Sequence, residues 1–366
     1  MQNMPDQIKK KHVKYIERHL QLLPAKYEDN DVNKMAILYY SFQSLSLLGE
    51  DIQGKYSKYI PWIKSHLITK SAPKQNQRIS GFVGSLNVRV DGVITFNLPN
   101  TLFALLVLAL LKQHHYICHE MDGESIGRFV GLCQLPNGSF KSALDLSGTS
   151  VSPVDGEDLR FCYIAVALLY IIGCRSPADY SKYINVSKLL DYIKNQQCFD
   201  GAYGQYGEAH AGYTSCALST LALLKARETI DENFVEKTLT WLSHRQVSSS
   251  DIMRKQEEQN PFYDTDDHGG FQGRPNKFAD TCYATWCLNS IQLLTKEWQG
   301  YVDQRSLENY LLNVTQNQII GGFSKNDADD PDLYHTCLGI SALILLDERL
   351  DGSLFLPAHI SKLFLK

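Results

Sequence analysis

A unit recurs along this chain, and it leaves few folds open. Each copy begins as an amphipathic helix ending in Gln. A turn of Gly plus an aromatic follows, then a polar loop, then a helix apolar on nearly every side. One copy runs from Ser125 through Gln134, Gly138 and Phe140 to the RFCYIAVALLYIIG stretch that begins at Arg160. The next runs from Val186 through Gln197, Gly201 and Tyr203 to YTSCALSTLALL. A third passes from Phe234 through Gln246, Gly270 and Phe271 to the helix after Asp280. A fourth passes from Leu307 through Gln318, Gly322 and Phe323 to YHTCLGISALILL. A period of roughly 50 to 70 residues is the mark of a repeat architecture.

The two helix types need different surroundings. The amphipathic one faces solvent, and the one apolar all round must be enclosed. A ring with the apolar helices inside and the amphipathic helices outside satisfies both, where an open solenoid leaves the inner set exposed. Upstream, KKHVKYIERHLQLLP reads as an amphipathic helix ending at Pro24, and DVNKMAILYYSFQSLSLLG as a buried one. NLPNTLFALLVLALL is another buried helix, with Pro99 near its start. Only the Gly-aromatic turns and a few short stretches resemble strands, so the expectation is all-α. Residues 1–366 show no obvious linker and are expected to form a single domain. The polar insertion at 248–268 is expected to be a surface loop.

Composition excludes several classes. Hydrophobic content of 44% and charge of 21% are ordinary for a globular protein. A net charge of −4 gives no global attraction to nucleic acid or to a membrane. The Lys9, Lys10, Lys11 run is too short to change that and reads as a solvated helix face. The first residues are polar and do not form a signal peptide. The apolar runs at 102–111 and 162–172 are too short to span a bilayer. Nine cysteines, scattered inside apolar runs, suit reduced thiols in the cytoplasm, with Cys216 and Cys337 in the core.

The unusual residues fall at one point of each unit, the start of the inner helix. Arg160 lies there in one unit, and His210 and Tyr213 in the next. Asp280, Cys282 and Tyr283 lie there in the third, and His335 in the fourth. In a ring these starts converge on one mouth. Asp280, Cys282 and His335 offer a carboxylate, a thiolate and an imidazole, a set Zn²⁺ accepts while keeping a fourth position open. The plainer alternative stays open: Asp280 caps its helix, Cys282 is core and His335 is a hydrogen-bonded helix-start residue. His210, Arg274, Lys277 and the Tyr283 hydroxyl suit a phosphate or diphosphate, or are solvated surface groups. Arg160 suits a carboxylate or a second phosphate. Phe161, Tyr163, Tyr213 and Trp286 would line an apolar well beneath the cations, so the pair describes an isoprenoid diphosphate. Residues 264–267 (DTDD) and 327–330 (DADD) match the pattern of alkene-protonating terpene cyclases, but both lie in polar loops and read as solvated.

GGFQGRPNKFADTCYATW, GEAHAGYTSCALSTLALL and DLYHTCLGISAL resemble the β subunit of the heterodimeric protein prenyltransferases, over nearly the whole chain. The likeness is strongest to the fungal type I geranylgeranyl class. It implies an α/α barrel (toroid) of about six helical hairpins, in line with the repeat. It implies transfer of geranylgeranyl from its diphosphate to the cysteine of a C-terminal CaaX motif, X usually Leu, on proteins such as Rho-type small GTPases. By the same resemblance Asp280, Cys282 and His335 hold zinc. His210, Arg274, Lys277 and Tyr283 hold the diphosphate. Ala211, Gly212 and Trp286 flank the lipid, and Arg160 lies near the peptide's C-terminus. An obligate α subunit is implied. Farnesyltransferases carry Trp where this chain has Ala36, which leaves room for a longer lipid. Phe161 after Arg160 also suits the geranylgeranyl class. Lys325 stands where farnesyltransferases have an Asp that supports Mg²⁺, so Mg²⁺ is expected to matter less here. Tyr334 departs from the aliphatic residue of animal type I enzymes. Farnesyl transfer is the nearest alternative and a terpene-cyclase-like toroid the more remote one.

Overall fold

A computed structural model describes residues 4–72, 77–248 and 264–365. Most of the polar insertion, 249–263, lies outside the described residues. The longer helices are α1 (Asp6–Gln21), α2 (Lys34–Leu47), α3 (Leu98–Leu110), α4 (Gly123–Leu132), α5 (Leu159–Ile171), α6 (Val186–Asn195), α7 (Ala211–Leu223), α8 (Glu232–Ser243), α9 (Thr281–Leu294) and α10 (Leu333–Leu346). Of these, α2, α3, α5, α7, α9 and α10 are the apolar type, and α1, α4, α6 and α8 the amphipathic type. The described chain is predominantly helical, and none of its helices is long and apolar enough to cross a membrane. All nine cysteines are free thiols.

The contacts divide the chain into two compact units. One comprises Leu22–Asn195, Thr220–Ala226 and Ser353–Lys366. In it α3 packs on both α2 and α5. Asn97 caps α3 by accepting from the Asn100 N–H at 2.8 Å, and Pro99 sits in the first turn. Along α3, Leu102, Leu105, Leu108 and Leu110 are all buried. This unit also holds a β-hairpin, β1 (Leu67–Ala72) with β2 (Gln77–Phe82), in register from Leu67↔Phe82 to Ala72↔Gln77. Ile68, Ile79 and Phe82 are buried, and β2 lies against α4. The sequence carries no alternating signal for this hairpin, because the buried residues of β2 run consecutively from Ile79 to Phe82.

The other unit comprises Met1–Gln21, Gln196–Ser219 and Arg227–Gly352. Here α9 and α10 pack together. Thr285 Oγ1 donates to Leu338 O at 2.5 Å, and Gln292 Nε2 to Leu345 O at 2.9 Å. Asn289 Nδ2 donates to Ser215 Oγ of α7 at 3.0 Å.

The recurring Gln and Gly have physical reasons. Gln134 accepts from the Asn185 N–H at 2.7 Å and donates to the Asn185 carbonyl at 3.1 Å. Gln246 does the same to Asp303, at 2.9 Å both ways. Each Gln therefore ties its own unit to the start of the next amphipathic helix. The glycine is the point of closest approach. A Cβ at Gly138 (φ +97°) or Gly269 (φ +87°) would lie 2.1 Å from the carbonyl oxygen of Lys188 or Ser306. The left-handed φ and the missing side chain are both required there. This register corrects the sequence reading in the third and fourth units, where the glycine of close approach is Gly269 or Gly321 rather than Gly270 or Gly322. Gln316, not Gln318, pairs with Phe323 as Gln134 pairs with Phe140. Gln318 instead donates to Leu312 O at 3.3 Å.

Candidate active site

Two helix starts build the centre of the site. Asp280 is the N-cap of α9, and its Oδ1 accepts from the Cys282 N–H at 2.8 Å. Asp332 is the N-cap of α10, and its Oδ1 accepts from the His335 N–H at 2.8 Å. Each cap thus fixes the backbone of a residue two or three positions on. Because α9 and α10 pack together, the side chains converge. His335 Nε2 lies 3.4 Å from Asp280 Oδ1, and one ligand atom each from Asp280, Cys282 and His335 falls within 4.8 Å of the others. Among the described residues no other group of three His, Cys, Asp or Glu side chains is so arranged. Capping and clustering are both true of Asp280, so the two readings of its role are compatible.

The electrostatics of this cluster call for a cation. Asp280 is 8% exposed and Cys282 6%. Burial, then the Asp280 carboxylate beside it, pushes the Cys282 thiol well above its usual range, while the Tyr334 hydroxyl pulls the other way. Burial alone would lower the His335 pKa, but hydrogen bonds to Asp280 and Asp332 outweigh it and hold the imidazole up at about 9. A proton on His335 therefore offsets part of the negative charge of Asp280 and Asp332 in the metal-free protein. A divalent ion would take over that charge, release the proton and favour the thiolate. Asp332 Oδ2 engages His335 Nδ1 at 2.6 Å, which leaves Nε2 to face the cluster. A carboxylate behind the histidine in this way fixes its tautomer and raises its basicity as a ligand. The donor set and its support fit a metal ion.

A second group adjoins the first along α9. The Tyr283 hydroxyl lies 3.2 Å from His210 Nε2. The Gly212 N–H donates to His210 Nδ1 at 3.0 Å, so Nε2 carries the proton in the neutral ring. The loop bearing Arg274 is joined to the start of α7 by the Ala211 N–H, which donates to Gly273 O at 2.9 Å. Tyr283 packs on Gly273, where an added Cβ would be 2.1 Å from its ring. Arg274 Nη1 reaches both oxygens of Glu208, at 2.9 and 2.8 Å. Lys277 is half-buried in the same loop. Along the early turns of α9, Tyr283 and Trp286 are half-buried between fully buried residues, and on α7 Gly212 and Tyr213 are likewise half-buried beside buried Ala211. His210 touches both Tyr213 and Tyr283, at ring centroid distances of 5.0 and 5.6 Å. Lys325 is exposed, and its carbonyl accepts from the Thr281 N–H at 2.9 Å.

The remaining predicted residues lie in the other unit. Arg160, exposed at the start of α5, is gripped by its own cap residue: Nη2 to Asp158 Oδ2 at 2.7 Å and Nε to Oδ1 at 3.0 Å. Phe161 and Tyr163 follow half-buried, and the Tyr163 ring meets Phe355 edge-on. Ala36 is half-buried on α2, between fully buried Met35 and Ile37.

Sequence reasoning missed Asp332 and Glu208, and it misread Asp267. The DTDD loop is not wholly solvated. Asp267 is 4% exposed and its Oδ2 accepts from the Ala279 N–H at 2.8 Å, one residue before Asp280. Residues 327–330 are exposed, as expected. The spacing of Asp332 three before His335 was the available signal for a cap.

Residues 8–362 match the family described as the prenyltransferase alpha-alpha toroid domain, and the chain belongs to that family. Its fold class is accordingly the α/α toroid. Within the family the chain is similar to the geranylgeranyl transferase type-1 β subunits of Arabidopsis thaliana and Dictyostelium discoideum. The first is 27% identical over 93% of this chain and 85% of the relative, the second 29% over 91% and 89%. Its structure matches Candida albicans protein geranylgeranyltransferase-I complexed with GGPP, with 27% identity, a TM-score of 0.85 and 98% of both chains covered. The farnesyltransferase β subunit of Pyricularia oryzae is 27% identical over 93% of this chain and 63% of its own length.

Proposed function

We propose that this chain is the catalytic β subunit of a cytoplasmic, zinc-dependent protein geranylgeranyltransferase type I, working as one domain with an α subunit. The observation that carries the reading is the Asp280–Cys282–His335 cluster with the His210–Tyr283–Arg274 group adjoining it through Tyr283, the residue after Cys282. Similarity to type-1 β subunits across most of the chain supports it. Substrates would be geranylgeranyl diphosphate and proteins ending in CaaX, with Rho-type GTPases as examples.

Zinc held by Asp280, Cys282 and His335 would keep the substrate cysteine deprotonated at neutral pH. In the transfer, a sulfur–carbon bond forms at C1 of the lipid and the C1–oxygen bond breaks, the diphosphate leaving with the electron pair. His210 Nε2–H and the Tyr283 hydroxyl are the donors that would meet the growing negative charge, with Arg274, Lys277 and Lys325 adding fixed positive charge. Half-buried Tyr213, Trp286 and Gly212, with buried Ala211 beside them, would border the lipid, and Arg160 and Phe161 the peptide. A transfer assay with geranylgeranyl and farnesyl diphosphates, against CaaX peptides ending in Leu, Ser or Met, tests the reading. Geranylgeranyl transfer to the Leu peptide is expected to dominate, and dominant farnesyl transfer would favour the nearest alternative.

Glu208 competes with the diphosphate for Arg274. The pair is exposed and adds little stability. Glu208→Gln is therefore expected to leave the unfolding midpoint unchanged and to tighten inhibition by inorganic diphosphate about two- to fivefold, the scale of an exposed pair. Weaker inhibition would mean that Glu208 holds Arg274 in place for the anion.

Lys325 is expected to replace part of the work of Mg²⁺, because stabilisation of the leaving group counts most in the transition state. Lys325→Asp should lower activity without Mg²⁺ and show a larger rescue as Mg²⁺ is added at saturating zinc. Identical Mg²⁺ titrations for both proteins would leave Lys325 outside the chemistry.

A further inference from the structure

One turn holds both ligand-bearing helices. Thr281, the first residue of α9, donates its N–H to Lys325 O at 2.9 Å and its hydroxyl to Ser324 O at 2.7 Å. At the other helix the Asp332 N–H donates to Phe323 O at 3.2 Å, and Thr336 Oγ1 of α10 accepts from the Phe323 N–H at 2.9 Å. The Phe323 ring is fully buried against Gly339 of α10, where an added Cβ would be 2.8 Å from it. The stretch 316–332 thus sets where Asp280, Cys282, Asp332 and His335 stand.

The other side of that turn is covered by α1, from the far end of the sequence. In the first and third units the Gln and Gly engage the start of the following helix; in the last one they engage α1. An added Cβ at Gly321 would lie 2.5 Å from the Lys11 carbonyl. The contact is specific at one side chain. His12 is 0% exposed, and its Nδ1 accepts from the Gly322 N–H at 2.8 Å. Its Nε2, which carries the proton in this tautomer, lies 2.8 Å from Gln316 Nε2, so the Gln316 amide is assigned in the flipped sense, with its oxygen as the acceptor. Its ring stacks on Phe323 at 5.1 Å and 7°. One turn later on α1, the Tyr15 hydroxyl donates to Pro331 O at 2.8 Å, beside Asp332. Burial pushes the His12 pKa down to about 4, so the ring stays neutral and its acceptor remains available.

We propose that His12 is a positioning residue for the metal centre: through Gly322 and Phe323 it fixes the turn that places both ligand-bearing helix starts. This rests on the metal-site reading above. Supporting groups behind metal ligands typically change affinity about 10- to 100-fold, and His12 acts two contacts beyond such a group, through Phe323 to Asp332.

The test measures zinc affinity of the full chain, purified with its α partner, by competition with a chromogenic chelator. Cobalt substitution reports ligand geometry by absorption. His12→Leu, of similar bulk but without the acceptor, is expected to weaken zinc about tenfold and alter the cobalt spectrum. His12→Asn, able to accept from Gly322, should recover most of the loss. Tyr15→Phe, which removes only the hydroxyl, should weaken zinc severalfold and stands in if His12→Leu does not fold. Leu239→Ala on α8, a buried change away from this contact, should destabilise the fold and leave zinc affinity unchanged. Tight zinc in wild type with unchanged affinity and spectra in the folded His12 and Tyr15 variants would overturn the proposal alone. Absence of zinc from wild type, or full zinc in Cys282→Ala, would overturn the metal reading and this proposal with it.

Discussion

Cys282→Ala is expected to abolish transfer and to lose stoichiometric metal, while the chain still folds. The argument begins with what the side chain contributes to the fold. Cys282 is buried at the second position of α9, and its backbone N–H, not its sulfur, satisfies the Asp280 cap. Ala is a better helix former and keeps that bond, so what is lost is the sulfur's packing and its contacts with Asp280 and the Tyr334 hydroxyl, a cost of about 1–2 kcal/mol. The chemistry has no such reserve. The sulfur is one of three ligand atoms within 4.8 Å, and without it a divalent ion keeps only a carboxylate and an imidazole. In the metal-free protein the proton on His335 already offsets part of the charge of Asp280 and Asp332, which helps the variant to exist empty. Affinity should fall by more than the ~10- to 100-fold seen when a ligand's supporting group is removed. Metal analysis and single-turnover transfer, with circular dichroism to verify folding, check this. Full activity with stoichiometric metal in the folded variant would remove Cys282 from the site.

The repeat, the two helix types and the placement of unusual residues at inner helix starts were legible because burial writes itself into residue type. The triad was legible as chemistry: an oxygen, a sulfur and a nitrogen at matching points of adjacent units. What the sequence hid are contacts made by common residues. Asp332 looks like any cap until His335 is seen to lie against it. Asp267 sits in an acidic loop and yet is buried by the backbone N–H it accepts. Glu208 is two residues from His210 but gains its meaning from Arg274, distant in sequence. His12 is the extreme case, since nothing in KKHVKYIERHL indicates that its third residue will meet Gly322. The register of the fourth unit failed for the same reason. Two glutamines stand near its helix end, and only the pairing with Phe323 selects Gln316.

Ala36→Trp is expected to reverse lipid preference. The substitution lies on α2, where Ala36 and Tyr40, one turn apart, are half-buried, as is Leu38 between them, while Met35, Ile37 and Tyr39 are buried. Phe103 of α3 is half-buried too, with its ring 5.7 Å from Tyr40. An apolar face left incompletely covered on an otherwise enclosed helix pair is the place for an apolar ligand, and the small Ala36 leaves the most room on it. Trp there adds an indole, close in bulk to the last isoprene unit of a twenty-carbon chain. Inserting bulk into a filled site costs about 1–3 kcal/mol, and one methylene in an apolar pocket discriminates about 10- to 200-fold. The ratio of kcat/KM for geranylgeranyl over farnesyl diphosphate should therefore fall by about two orders of magnitude. The loss should come from the longer lipid, with farnesyl transfer held or raised. The helix itself should tolerate the change, because the face that receives the indole is the open one. An unchanged ratio, in a variant that folds and turns over, would put the floor of the lipid site away from Ala36.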